Sequence, residues 1–175
     1  MVICLSLSEP LTAAPQTVST KGIVDAVKKA LDEPKQVEPP TGEKGATTGE
    51  SDVERFLAES SGDIAKELEE AKKVLAEHKI RLAYTIEKEG EAPLLDEGAR
   101  PQLVVKLYKD EAKYTMYFRL SGPDVRVFAH PPILPYRELI YRIRGDKYDK
   151  QAVGACIGEA VSYILDQSIA AKERE

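Results

Sequence analysis

Over residues 113–120 the side chains alternate in character from one position to the next. Successive side chains of a strand point to opposite faces. Tyr114, Met116, Phe118 and Leu120 therefore share one face, and Lys113, Thr115, Tyr117 and Arg119 share the other. The runs on either side divide in the same way. Leu103, Val105 and Leu107 lie opposite Val104, Lys106 and Tyr108, and Val125, Val127 and Ala129 lie opposite Arg126 and Phe128. Three consecutive runs of this kind predict an antiparallel sheet with one face that is plain core.

The second face mixes cations with rings: Lys106, Arg119 and Arg126 with Tyr108, Tyr117 and Phe128. Single-stranded nucleic acid requires positive charge for its phosphates and aromatic surface for its bases. These residue types are also ordinary sheet-pairing residues. On that second reading the face is simply solvated, or is covered by a neighbouring helix or a partner subunit.

The chain has 175 residues, room for one domain and a tail, and at 42 % hydrophobic it can bury a core. Its net charge of −5 argues against long-range steering toward nucleic acid. The charge is uneven, however. Residues 101–150 hold 10 Lys and Arg against 6 Asp and Glu, a net of +4, which leaves −9 for the rest. A phosphate-binding surface here would be local and salt-sensitive. Charged residues make up 31 %, with only two Met and two Cys, a balance that fits a thermophile. Cys4 and Cys156 form neither a disulfide framework nor a metal cluster, so a cytoplasmic setting is expected. No apolar run approaches the roughly 20 residues of a membrane span, and residues 1–8 lack the basic start of a signal sequence.

Residues 1–18 read as a disordered start. Ser19 or Thr20 caps a short tethered helix over 19–32, with Ile23, Val24, Val27 and Leu31 on one side. So short a helix is marginal alone, which favours a fraying tail over a docking element. Residues 33–50, rich in Pro, Gly, Thr and Glu, read as a linker. A single α+β domain spans 51–175. Ser51 and Glu54 fit a capping box, Gly62 with Ser60 and Ser61 kinks the helix, and residues 63–79 continue helically. Strands follow at 81–87, 102–109, 113–120 and 124–130. Residues 135–144 place Tyr136, Leu139, Ile140 and Ile143 at helical spacing and read as a short helix stopped by Gly145. The last helix covers 149–172. The expected architecture is a four-stranded antiparallel sheet with helices before and after it packed on one face.

Opposite the apolar side of the 135–144 helix lie Arg137, Tyr141 and Arg144, with Lys147 and Tyr148 just beyond. This is a second basic and aromatic stripe, unless it is a solvated face whose Arg142 and Arg144 complement the helix dipole. Gly154 and Gly158 sit inside the last helix, where each costs up to about 1 kcal/mol. Close approach of another backbone is the expected reason. Cys156 in the same helix reads as a small core residue. His78 and His130 have no evident catalytic partner, and the chain shows no phosphate-binding glycine loop and no metal-ligand spacing. No enzymatic activity and no cofactor are expected.

The order of helices and strands, the 102–129 strands and the segment 135–150 resemble the single-stranded DNA-binding protein family of the Thermoproteales and its relatives, the ThermoDBP-like proteins. The resemblance covers roughly residues 51–170. It implies archaeal single-strand binding without a cofactor, together with self-association. A double-stranded RNA-binding module also runs α-β-β-β-α, and Lys150, Gln151 and Ala152 faintly resemble its second helix. The extra strand and the inserted helix count against it.

Two readings follow. The first is sequence-tolerant binding of single-stranded DNA or RNA by Lys106, Tyr108, Tyr117, Arg119, Arg126 and Phe128, with Arg137, Tyr141 and Arg144 closing a cleft. The alternative is a non-catalytic protein-interaction or homodimerisation module that uses the same face.

Overall fold

The computed structural model describes residues 22–32, 49–91, 98–130 and 137–172. Among these, five strands form one antiparallel sheet in the order β1-β2-β3-β4-β5. They are β1 (Arg81–Gly90), β2 (Arg100–Lys109), β3 (Ala112–Ser121), β4 (Asp124–His130) and β5 (Arg137–Arg144). The helices α1 (Ile23–Asp32), α2 (Glu50–Glu59) and α3 (Ala65–Glu77) precede the sheet, and α4 (Lys150–Lys172) follows it.

The α+β class and the antiparallel meander match the expectation, and the strand count does not. The segment read as a helix over 135–144 is β5 from Arg137 onward. Its apolar residues fit helical spacing, but Tyr141 and Ile143 also alternate with Arg142 and Arg144. Pairing with β4 decides between the two periods, since Val125 faces Ile143 and Val127 faces Tyr141 across the ladder. Chain turns set the rest of the meander. Asp110 takes a left-handed φ of 53° in the two-residue β2–β3 hairpin, and Gly122 takes φ 64° before Pro123 in the β3–β4 turn.

One core joins the inner sheet face to all four helices. Leu103, Val105, Leu107, Met116, Phe118, Leu120, Val125 and Val127 meet Phe56 of α2, Leu68 and Leu75 of α3, and Val153, Ile157 and Val161 of α4. The α2–α3 junction is a kinked π-turn, Ser60–Ile64, in which Gly62 leaves helical geometry at ψ −112°. The cap of α2 lies before Ser51: the Gly49 amide donates to Asp52 Oδ2 at 3.1 Å. At α4 the Asp149 carboxylate accepts from the Gln151 and Ala152 amides, both at 2.9 Å.

The helix expected to fray is part of this core. Ile23 and Val27 of α1 are fully buried. A Cβ placed on Gly154 would lie 2.9 Å from Ile23 Cα, and one on Gly158 would lie 3.3 Å from Ala26 O. The two glycines open a channel along α4 into which α1 sinks, as their cost in a helix required. At the other side Glu67 of α3 accepts the Val24 amide at 3.3 Å and meets Lys150 Nζ at 3.6 Å. The start at 1–18 and nearly all of the linker, residues 33–48, lie outside the described residues.

Candidate functional site

Strand register arranges the outer sheet face in rows. Arg81, Tyr108 and Lys113 form the first, and Ala83, Lys106, Thr115 and His130 the second. The third is Thr85, Val104, Tyr117 and Phe128. The fourth is Glu87, Gln102, Arg119, Arg126 and Arg142.

The third row is closed apart from Thr85 on the edge strand. Val104, Tyr117 and Phe128 form a small apolar cluster of their own, separate from the main core and only 4, 8 and 4 % exposed. Tyr117 and Phe128, placed by the sequence on a solvent-facing platform, are therefore packing residues, and their rings have no free face to offer a base.

The fourth row binds the chain's own backbone. Arg119 is fully buried and donates from Nη1 to Gln102 Oε1 at 2.7 Å and to Gly90 O at 3.3 Å, and from Nη2 to Gly98 O at 2.7 Å. Gln102 Nε2 in turn reaches Glu87 Oε2 at 2.5 Å and Glu91 O at 3.4 Å. These side chains clasp both ends of the β1–β2 connection. A guanidinium committed to two carbonyls and an amide oxygen is not a phosphate ligand. Arg126 beside it is partly exposed.

The first row is open, and so is the β1–β2 side of the second, where Thr115 is buried. Tyr108 and Lys106 are half-buried, and Arg81 and Lys113 are exposed. The Arg81 guanidinium lies 4.4 Å from the Tyr108 ring centroid and Lys113 Nζ lies 5.8 Å from it, so the ring is flanked by two cations. Among the described residues, Arg81, Lys106 and Lys113 form no ion pair. A shallow depression of about 440 Å³ opens beside Arg81, with Ile80 and Leu82 in its wall and Lys72 and Lys79 at its margin. Arg81 and Lys113 were absent from the sequence-derived set. Strand parity alone places Lys113 on this face, and Arg81 opens the strand expected at 81–87; what parity does not give is the β1–β2–β3 register that sets both beside Tyr108.

The second stripe does not assemble. Tyr141 points to the inner core. Tyr148 stacks on Phe56 at 4.9 Å between centroids, and its hydroxyl lies 2.9 Å from Ser60 Oγ in a buried hydrogen bond. Burial pushes its pKa up. Arg144 is exposed and pairs with Asp146 at 3.1 Å, and the Arg137 side chain lies outside the described residues. Arg142, read as a helix-dipole partner, is instead a member of the fourth row.

Cys156 is buried, and burial pushes its thiol up to about 12, so it packs as a small apolar group. Among the described residues no group of acids, histidines and cysteines is placed to hold a metal, and no helix is long and apolar enough to cross a membrane. No family model matches the chain, and neither the curated proteins nor the solved structures compared with it return a significant match.

Proposed function

We propose that this protein is a non-catalytic binder of single-stranded DNA or RNA and that the strand lies on the open part of the outer sheet face. Tyr108 supplies the stacking ring. Arg81, Lys106 and Lys113 supply phosphate contacts. Tyr117, Phe128 and Arg119 hold the face in shape rather than touch the strand. One observation carries the reading: a half-buried ring flanked by two exposed cations, with a third cation two residues away on the same strand face and no carboxylate paired to any of the three among the described residues. An aromatic ring and a guanidinium plane both accept a base in stacking, whatever its sequence. The chain's net charge of −5 confines attraction to this patch, which makes binding strongly salt-dependent.

The experiment is a titration of a fluorescent single-stranded oligonucleotide with the full chain at low salt, with a duplex of the same sequence beside it. Saturable binding that prefers the single strand supports the proposal, and no binding at low salt defeats it.

The second reading, a protein-interaction or homodimer surface, draws on edge strand β1, whose Ala83 and Thr85 are exposed next to the same patch. A stable dimer without oligonucleotide affinity would favour it.

A further inference from the structure

β1 is an edge strand. Its stretch from Arg81 to Glu87 pairs with β2 on one side and, among the described residues, with no strand on the other. An open row of backbone amides and carbonyls is a template for a further strand, and natural edges are blunted with charges and bulges. Here both devices stand at one end only: the ladder slips between Glu87 and Gly90, beside the exposed Lys88 and Glu89. The stretch before the slip is regular, with Ala83 and Thr85 exposed and Tyr84 and Ile86 half-buried.

The sequence of this stretch is its own complement. A second copy running antiparallel puts its core face on the same side only if paired positions share a parity. Of the registers that satisfy this, the one centred on Tyr84 sets Arg81 opposite Glu87, the two charged residues of the stretch. It also sets Leu82 opposite Ile86, Ala83 opposite Thr85 and Tyr84 opposite itself. Centring on Ala83 leaves Arg81 opposite Thr85. Centring on Thr85 sets Arg81 opposite Glu89, beyond the slip, and Leu82 opposite Lys88. Both charges are unanswered within one copy: among the described residues neither Arg81 nor Glu87 forms an ion pair, and Glu87 accepts from the neutral amide of Gln102. The depression beside Arg81 lies at the same end of the edge, and Leu82 in its wall is the residue opposite Ile86 of the partner subunit.

We propose that β1 is the interface between two copies of this chain, paired antiparallel about Tyr84 so that two five-stranded sheets join into one. The inference rests on the homodimer reading and gives it a partner and a register. An Arg81–Glu87 pair closes each end of the interface, and the two Tyr84 rings meet on the axis. Ile86 of each copy fills the depression of the other. The two-fold axis runs through the sheet, so both Tyr108 patches face the same side. A guanidinium has five N–H donors, enough for Arg81 to hold a carboxylate at one edge and a phosphate at another.

The test is sedimentation velocity of the full chain over a concentration series, with circular dichroism melts to confirm folding. The wild type should reach a mass twice that of one chain. Arg81→Glu sets a carboxylate opposite Glu87 at both ends and should raise the dimer Kd at least about tenfold. The charge swap Arg81→Glu/Glu87→Arg should restore the dimer. Should the swap not fold, Ala83→Lys/Thr85→Lys, at two exposed positions that the register sets opposite each other, should give monomers. A wild type that stays monomeric at every concentration overturns the proposal and the homodimer reading together. A dimer whose Kd is unchanged by Arg81→Glu and by Ala83→Lys/Thr85→Lys, or a folded charge swap that stays monomeric, overturns the β1 register alone and moves the homodimer reading to another surface.

Discussion

Arg119 donates to Gln102 Oε1 at 2.7 Å, and through this pair the carbonyls of Gly90, Glu91 and Gly98 are tied to the outer sheet face. A residue whose type and strand parity suit a phosphate contact is a structural clasp instead. Removing one partner of a buried charged network leaves the others unsatisfied, at a cost of roughly 3–5 kcal/mol. Arg119→Met is therefore expected to lower stability by about that amount, read as a lower urea midpoint. Arg126→Met, at a partly exposed position, should cost less. Equal midpoints for the two variants would show that the clasp contributes little.

The fold was largely legible where a single period ruled. Residues 100–130 alternate without competition, and each expected strand lies within a few residues of β1 to β4. Residues 137–144 fit two periods at once, and the tie was broken by a ladder with β4 that no local pattern contains. Burial of Tyr117 and Phe128 was not legible for a similar reason. Parity assigns a side chain to a face but does not say what covers that face, and the cluster that Val104, Tyr117 and Phe128 form across three strands is tertiary. The reason for Gly154 and Gly158 was readable as close approach, whereas the identity of the approaching helix was not.

The α1 channel separates the two glycines. Gly154→Ala sets a Cβ 2.9 Å from Ile23 Cα, too close to a backbone atom to be relieved by a side-chain rotation. Overpacking of this kind costs about 1–3 kcal/mol, more than the gain of up to about 1 kcal/mol from replacing a helix glycine. At Gly158 the 3.3 Å contact with Ala26 O is milder, and the two effects nearly cancel. Thermal melts should show a lower Tm for Gly154→Ala and little change for Gly158→Ala. Gly158→Leu should lower Tm clearly. A Gly154→Ala protein as stable as wild type would contradict the docking of α1.

Tyr108 and Phe128 should separate binding from folding. Phe128→Ala empties a buried position and should cost about 3–5 kcal/mol of stability. Tyr108→Ala should leave stability within about 1 kcal/mol, since what it loses is an exposed cation–ring contact. It should weaken oligonucleotide affinity by about 1–3 kcal/mol, the worth of one stacked base. Melts and titrations of the two variants check this directly, and wild-type affinity in Tyr108→Ala would remove the stacking role.

Alkaline pH should loosen the protein. The Cys156 thiol is held near 12 by burial, while in the unfolded chain it ionises near 8.5. Between these values the unfolded state binds fewer protons than the folded one, so stability falls as pH rises. The contribution is intact below about pH 8.5 and declines by up to about 1.4 kcal/mol per pH unit above it. Tyr148, also raised by burial, acts in the same direction at higher pH. Urea midpoints from pH 8 to 10.5 should fall, and less steeply in Cys156→Ala. Parallel pH profiles would show that the thiol is not confined.

The most direct test of the central claim is the salt dependence of single-strand binding in the wild type and in Arg81→Ala/Lys113→Ala. Each phosphate contact contributes about 0.7 to the slope of log Kobs against log salt for a single strand. Loss of two contacts should reduce the slope by about 1.4 and weaken binding at low salt while Tm stays close to wild type. An unchanged slope, or a wild-type chain that binds no single strand at low salt, would contradict the account.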